Sequence, residues 1–264
     1  MQREIEKLFT NNKWEQIFNK FFSFKVDAKK KTDYMENVCI SYVFNPCTDH
    51  FMTKNKNLFD IRKAAAMYFW YKKASAKDSS IINYFEEYKH CIDDNHKEFN
   101  SNYGIYAYKR KGLKKCIDEL IKNQFSRQAC FCINNNIAMG ENSIDKLCTN
   151  TIQFFIRTTC KKAAEDVSLK MLVQMRSSNF LTLLPYDAFM FSVFYWEVYH
   201  SLKRYYTTLK PGTIHIQVAS LHCYRTDLEN RIYSGIGNDD IPDTILNFEK
   251  YNKKEVEQFL KSKL

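Results

Sequence analysis

The segment FLTLLPYDAFMFSVFYWEVYHSL (180–202) constrains the fold of this chain more than any other stretch. Apolar and aromatic residues surround the helix that we predict at about 187–209, instead of following one face of it. Pro185, Asp187 and Glu197 interrupt the apolar run, and its uninterrupted part is too short for a membrane span. The pattern therefore predicts a helix buried between layers of a soluble domain.

Strand-like segments lie on both sides of this helix in the sequence. In TIQFFIR (151–157), Ile152, Phe154 and Ile156 alternate with polar residues, which is typical of a strand with one buried face. The other predicted strands are VCISYVF (38–44), RQACFCI (127–133), SLKMLVQMR (168–176) and TIHIQVASLHCY (213–224). The other predicted helices cover 2–22, 58–74, 79–92 and 111–123. Strands, a buried helix and further strands indicate an α+β fold, and without a linker or repeat we predict one domain, 1–264.

The net charge and the spacing of the cysteines limit the classes of function that this chain can have. The net charge of +10 is spread along the chain and favours anionic partners, although a solvated lysine-rich surface explains it equally well. No zinc, helix-turn-helix or RNA-binding motif accompanies it, so we expect no nucleic-acid partner. The nine cysteines form no CxxC pair, and Cys130 and Cys132 lack a second ligand pair, so we expect no metal site. Reduced, mostly buried thiols and a polar N-terminal segment predict a cytoplasmic protein without a membrane anchor.

Polar clusters recur where the predicted strands end. They are SRQ (126–128), LCTN (147–150), MRSSN (175–179), LPYD (184–187) and LHCYRTD (221–227). Arg176 and Arg127 could depress the pKa of the Cys148 thiol and could also grip a phosphate group. From the residues alone we therefore hypothesise a cysteine nucleophile that acts on a phosphorylated small molecule.

The order of these clusters resembles the thymidylate synthase superfamily. Its members share, in order, an S-R-R step, a P-C-H nucleophile followed by Q-F-Y, an R-S-x-D segment, G-L-P-F-N and H-x-Y. The corresponding pieces here are SRQ, Cys148 with QFF (153–155), RSSN (176–179), LPYD and HCY (222–224). The resemblance covers roughly residues 103–227, and more loosely 58–100. Each piece is weakly specific, and the resemblance rests on their order and spacing.

The resemblance implies both a fold and a mechanism. The fold is a mixed β-sheet with a long buried central helix and flanking helices, and the face of the sheet forms a homodimer. Cys148 would add to C6 of a pyrimidine nucleotide, whose C5 then attacks the one-carbon unit of 5,10-methylenetetrahydrofolate. The implied binding roles are phosphate for Arg176 and Ser177, the partner subunit's phosphate for Arg127, the sugar for His222 and Tyr224, and folate for Asn179. Tyr103 would help to remove the C5 proton, or it is an ordinary packed aromatic residue.

Asp187 sets the expected substrate. The synthases have Asn at this place, where an amide pairs with uracil, whereas Asp matches the family's cytidylate hydroxymethylases. A carboxyl group can accept a hydrogen bond from the cytosine amino group and share a proton with N3. The alternative is that Asp187 is only the N-cap of the long helix, a position that suits Asp.

Several departures from the family pattern put parts of this interpretation in doubt. Ala64, Ala65 and Ala66 stand where the family has a catalytic Glu. Glu86 and Glu87 are candidates to replace it, but neither sits at the matching place. The other departures are Gln128 for Arg, Thr149 for His, Asn179 for Asp, Leu183 for Gly and an insertion at TTCKKAAED (158–166). The arginine loop that binds phosphate in the family has no counterpart around NPCTDHF (45–51).

The expected function is therefore folate-dependent 5-hydroxymethylation of a cytidine monophosphate, with dCMP as the first choice. The Lys- and Asn-rich composition suits an AT-rich genome, such as that of a virus that modifies its DNA bases in the host cytoplasm. The alternatives are a non-catalytic nucleotide-binding relative or subunit of an active paralogue, and a thymidylate synthase that acts on dUMP. A nucleic-acid binder is the remaining hypothesis.

Overall fold

A computed structural model describes residues 24–27, 32–47, 59–92, 98–134, 145–158, 167–233 and 253–264. The helix that the sequence predicts for 2–22 and most of the insertion after Thr158 lie outside these residues.

One sheet joins all the strands of the described residues. They are β1 (Phe24–Asp27), β2 (Thr32–Phe44), β3 (Cys130–Cys132), β4 (Thr149–Thr158), β5 (Val167–Asn179) and β6 (Lys210–Tyr224). Their order across the sheet is β1-β2-β6-β5-β4-β3. β5 and β6 run parallel, while every other neighbouring pair is antiparallel. The sheet is therefore mixed, and the five strands predicted from the sequence are all present in it.

The helices pack around this sheet. They are α1 (Ile61–Lys73), α2 (Gly112–Lys122), α3 (Leu184–Lys203), α4 (Arg225–Tyr233) and α5 (Lys253–Lys261). A short π-helical turn, Ile105–Lys109, precedes α2. The helix predicted for 79–92 is wrong, because two short 3₁₀ segments, Ser80–Asn83 and Glu86–Cys91, take its place. Phe85 between them is extended, which turns its ring against Tyr186 with the ring centroids 4.9 Å apart.

The long helix α3 is buried along its whole length, as its all-round apolar sequence predicts. It connects the parallel strands β5 and β6, which need such a crossover. Tyr195 fixes its depth, since the phenol donates to the Leu169 carbonyl at 2.9 Å and accepts from the Gly212 amide at 2.7 Å. α1 and α2 cover the opposite side of α3. The α+β prediction is confirmed at this level.

The two faces of the sheet differ in polarity. Ile152, Phe154 and Ile156 are fully buried against the helices, so the predicted alternation in β4 is confirmed. On the open face, Thr151 donates to Gln174 at 2.8 Å, and Gln174 donates to Gln217 at 3.3 Å. This open face is where the homodimer is predicted. Over the described ranges, no helix is both long and apolar enough to cross a membrane.

Candidate active site

The loop that carries Cys148 is fastened to β5 by Arg176. The Arg176 amide donates to the Cys148 carbonyl at 2.8 Å. Its guanidinium donates from Nε to the Leu147 carbonyl and from one Nη to the Lys146 carbonyl, both at 2.8 Å. The three bonds fix the loop immediately before the thiol. Arg176 is therefore in place beside Cys148, as predicted, and its main contacts are to the backbone of that loop.

Tyr103 reaches the same loop from the segment before α2. Its phenol accepts a hydrogen bond from the Thr149 amide at 3.2 Å, and the side chain is 5% exposed. Burial is the main cause that raises the pKa of Tyr103, and the charges of Asp187 and Cys148 add to the effect. Tyr103, Cys148 and Asp187 thus lie within electrostatic reach of one another. The fully buried Thr149, where the resemblance places a His, positions the Tyr103 hydroxyl through its backbone amide.

Asp187 faces this group from the first turn of α3. The N-cap of that helix is Leu183, and the Asp187 amide already donates to the Leu183 carbonyl at 2.9 Å. The alternative interpretation of Asp187 as the N-cap is therefore wrong. Removal from water raises the pKa of the Asp187 carboxyl to about 7, against a smaller lowering by the Ser178 hydroxyl. The carboxyl consequently exists in both protonation states near neutral pH.

The Cys148 thiol is not activated in the free protein. Burial raises its pKa to about 11; Arg176 opposes this rise, while Asp187 and Asp145 add to it. Arg176 thus lowers this pKa, as the sequence interpretation expects, but desolvation outweighs this one guanidinium and the net pKa is raised. The described cysteines differ in solvent exposure: Cys132 is exposed, for example, and Cys116 is buried. Only Cys116 and Cys223 of these are buried, so the prediction of mostly buried thiols is wrong.

Asp145 is a site residue that the sequence interpretation missed. It is 5% exposed and accepts a hydrogen bond from the Ser101 amide at 2.7 Å. It therefore joins the segment that carries Tyr103 to the loop that carries Cys148. Burial raises the pKa of Asp145 despite these bonds and the nearby Arg176. The available signal was an acidic residue three positions before the cysteine, in IDKLC.

The predicted phosphate and sugar ligands form a second group at the ends of β5 and β6. Ser177 Oγ lies 3.4 Å from Nδ1 of His222. The imidazole contacts the Tyr224 ring edge to face, with the centroids 5.2 Å apart. The register of the parallel strands β5 and β6 explains why Ser177 lies near His222, since Asn179, two residues after Ser177, is paired with His222. The structure therefore brings Ser177, on the strand β5 that also holds Arg176, next to His222 and Tyr224 on the neighbouring strand β6.

Asn179, the predicted folate ligand, is largely engaged within the chain. Its amide donates to Asp227 at 2.7 Å, and its carbonyl oxygen accepts from the amides of Leu181 and Thr182 at 3.0 and 3.2 Å. These bonds shape the turn before α3 and hold α4 in place. One amide hydrogen remains for a ligand, so the fit of Asn179 to a folate rests on a single donor.

Arg127 lies apart from Cys148 within one chain. Its carbonyl accepts from the Gln153 amide group at 2.7 Å, and its side chain is exposed. Gln153 is five residues beyond Cys148 along β4, a distance of about 16 Å. A role for Arg127 at this site therefore requires the partner subunit, as the sequence interpretation expects.

No Asp or Glu lies on α1, where the resemblance places a catalytic Glu. Ala64 and Ala65 are fully buried there. Glu86 and Glu87, neither of which sits at the matching place in the sequence, are exposed, and Glu86 pairs with Lys89 at 2.9 Å. The carboxyls that raise the pKa of Cys148 are those of half-buried Asp187 and buried Asp145.

Comparison with known proteins adds no assignment. A scan against models of known protein families and a search of curated proteins both find no match to this chain. Within the part of the chain that the structure describes, no cluster of three or more His, Cys, Asp or Glu residues could hold a metal ion.

Proposed function

We propose that this protein is a folate-dependent 5-hydroxymethyltransferase that acts on a cytidine monophosphate, with dCMP as the first choice. The observation that carries the proposal is the Asp187 carboxyl, half-buried beside Cys148 with a pKa of about 7. The resemblance in the order of the motifs supports the same family of reactions. The proximity of Cys148, Tyr103 and Asp187 supports the proposal, because it brings the proposed nucleophile, the proposed proton-removing residue and the proposed base-reading residue together.

The protonation state of Asp187 explains why cytosine would be preferred over uracil. A protonated carboxyl donates to N3 of cytosine, and its carbonyl oxygen accepts from the exocyclic amino group. Uracil presents a donor at N3 and an acceptor at O4, so neither bond forms in the same pose. Unpaired polar groups in a desolvated site cost several orders of magnitude in specificity. A pKa near 7 keeps this proton available at neutral pH.

In the proposed reaction, Cys148 Sγ forms a bond to C6 and the thiol proton leaves to water. The electron pair of the C5–C6 double bond moves to C5, which becomes the nucleophile. Methylenetetrahydrofolate, when bound, would supply the one-carbon unit, with the Asn179 amide hydrogen as the donor available to it. C5 bonds to this carbon and then loses its proton near Tyr103, and the bond from the carbon to the folate nitrogen breaks to leave an exocyclic methylene on the base. Water adds to the methylene carbon as Sγ leaves C6. The balance is dCMP, methylenetetrahydrofolate and water to 5-hydroxymethyl-dCMP and tetrahydrofolate.

The nucleotide would lie along the ends of β5 and β6. Arg176 and Ser177 would hold its phosphate, with Arg127 reaching the same phosphate from the partner subunit of a homodimer. His222 and Tyr224 would hold the sugar. Ser177 Oγ lies 3.4 Å from Nδ1 of His222, which supports adjacent binding of the phosphate and the sugar.

A second candidate is a non-catalytic nucleotide-binding relative or a subunit of an active paralogue. The raised pKa of the Cys148 thiol, about 11, favours this alternative, as does the absence of a carboxylate on α1. A thymidylate synthase that acts on dUMP is disfavoured by Asp187.

Release of tritium from C5 of labelled dCMP in the presence of methylenetetrahydrofolate tests the proposal. We expect release by the native protein, accompanied by 5-hydroxymethyl-dCMP, and its loss in Cys148→Ser. Cys132→Ser is the matched control, because Cys132 is exposed on the edge strand β3 and should not matter. If no tritium is released from dCMP, CMP or dUMP, the non-catalytic nucleotide-binding relative becomes the better explanation.

The same assay tests base selection. Asp187→Asn should shift the preference from dCMP toward dUMP, because an amide pairs with N3–H and O4 of uracil. An unchanged preference would mean that Asp187 does not contact the base.

A further inference from the structure

A cavity of about 560 Å³ lies between α2, α3 and α5, away from the Cys148 site. Glu197 on its wall is ten residues from Asp187 along α3, a separation of about 15 Å. The volume is within the range typical of small-molecule pockets. Neither the motifs in the sequence nor the proposed reaction uses any residue of this cavity.

The body of the cavity is apolar. Its walls include Leu113 and Ile117 from α2, Val193 and Trp196 from α3, and Val256 from α5. Leu113, Val193, Trp196 and Val256 are buried hydrophobic residues. Such walls favour an apolar ligand body, since each buried apolar area adds to binding through the hydrophobic effect.

The interior carboxylate of the cavity is already neutralised. Glu197 accepts from Lys72 at 2.6 Å and from the Tyr108 phenol at 3.0 Å. Lys253 lies 3.8 Å from the other carboxylate oxygen. Lys72 also stacks over the Tyr108 ring at 4.0 Å, which holds the pair in place. Glu257 on α5 also accepts from the phenol of Tyr68, which lines the cavity, at 2.8 Å. Lys72 and Lys253 are therefore balanced by the carboxylates of Glu197 and Glu257.

Further cations surround the mouth of the cavity. Lys111 and Arg204 line it and are exposed, and among the described residues neither forms an ion pair. Lys114 also lines it but is paired with Asp118. An apolar interior beneath an excess of positive charge is complementary to an anion with an apolar body.

We propose that this cavity binds a small organic acid with an apolar body, with its anionic group at Lys111 and Arg204. The apolar body lies against Trp196 and Val193. A ligand held there joins α5 to α2 and α3, so binding raises the thermal stability of the protein. Aliphatic and aromatic acids share this chemistry, and the test separates them.

The test compares a charged and a neutral fluorescent probe on the full chain. The probes are 8-anilinonaphthalene-1-sulfonate and N-phenyl-1-naphthylamine, which share the same aromatic body. In Lys111→Gln/Arg204→Gln, binding of the sulfonate should weaken about fivefold to tenfold, while binding of the neutral probe stays within about twofold. Lys115→Gln/Lys122→Gln is the matched control, because both lysines are exposed on α2 and neither lines the cavity.

Displacement identifies the class of acid. We expect decanoate or 2-naphthoate, but not decanol, to displace the bound sulfonate, and the more effective acid assigns the ligand as aliphatic or aromatic. The proposal is overturned if neither acid displaces the sulfonate, or if decanol does so equally well. It is also overturned if the control variant weakens binding as much as Lys111→Gln/Arg204→Gln.

Discussion

The Asp187 carboxyl should make its own contribution to the pH dependence of the stability of this protein. Its pKa rises from an ordinary 3.8 to about 7, so the folded state holds a proton that the unfolded state releases. Stability from this group is therefore full below about pH 4 and is lost as the pH rises through about 7. Asp187→Asn removes this contribution, and at pH 8 the variant should be more stable than the native protein by about 2 to 4 kcal/mol.

Urea unfolding of both proteins between about pH 4 and pH 8 measures this difference. Asp118→Asn is the control, because Asp118 is an exposed carboxyl on α2 and should leave the pH dependence unchanged. If the difference between Asp187→Asn and the native protein is constant across this range, Asp187 is not a desolvated acid.

The Cys148 thiol gives a second expectation at the residue scale. With a pKa of about 11, it should react slowly with iodoacetamide at neutral pH, and its rate should rise steadily toward pH 11. Asp145→Asn should increase the rate at a given pH, because the Asp145 charge contributes to the raised pKa. Peptide mass spectrometry separates Cys148 from exposed Cys132. Rapid alkylation of Cys148 at pH 7 would contradict the account.

The order of the motifs in the sequence was enough to select candidate residues at the ends of strands, but not to predict their pKa values. Cys148, Arg176 and Ser177 lie next to alternating apolar segments whose register carries them together. The pKa values depend on burial that only the tertiary structure creates. Asp145 was missed because its role comes from contact with Ser101, distant in sequence, which no local pattern reports.

At the scale of elements, the Lys72–Glu197 pair joins α1 to α3 inside the molecule. The side chains are 19% and 15% exposed, in contrast to 67% and 55% for the Lys114–Asp118 pair on α2. Glu197→Gln leaves Lys72 without its counter-charge and should cost about 2 to 4 kcal/mol of unfolding free energy.

The exposed pair provides the comparison for this experiment. Asp118→Asn should cost less than about 1 kcal/mol, because solvent screens the exposed charges. Chemical denaturation of the two variants checks both values. Equal costs for Glu197→Gln and Asp118→Asn would show that α1 and α3 are not held by this pair.

Periodicity predicted most elements and failed where tertiary packing overrides it. The strand at TIQFFIR and the helix at 111–123 follow from regular alternation and from helical spacing. The segment 79–92 has helical spacing too, yet Phe85 is drawn into an extended conformation by its contact with Tyr186. The end of α3 was placed too late, because Tyr205 and Tyr206 continue the aromatic pattern beyond Lys203.

At the scale of the whole molecule, the open face of the sheet is the predicted dimer interface. Thr151, Gln174 and Gln217 form its polar centre, and Val43 adds an apolar side chain that is 41% exposed. We expect a dimer by analytical ultracentrifugation. Gln217→Arg should yield monomers, because a two-fold interface brings like charges together.

Gln258→Arg on the exposed surface of α5 is the matched control and should remain dimeric. A native protein that sediments as a monomer at micromolar concentration would contradict the dimer. It would also remove Arg127 from the proposed site, because within one chain the Arg127 carbonyl is bonded to Gln153, which lies about 16 Å along β4 from Cys148.

The central claim is that Cys148 adds to C6 of a cytidylate, and exchange of the C5 hydrogen tests it without any folate. Addition of Sγ to C6 lets C5 take up a deuteron from D₂O, and loss of the original C5 proton with departure of Sγ then gives C5-deuterated dCMP. We expect the C5–H proton signal of dCMP to fade with the native protein and with Cys132→Ser, faster as the pH rises. It should persist with Cys148→Ser. Persistence of the signal with the native protein, although dCMP binds, would contradict the role of Cys148 as a nucleophile.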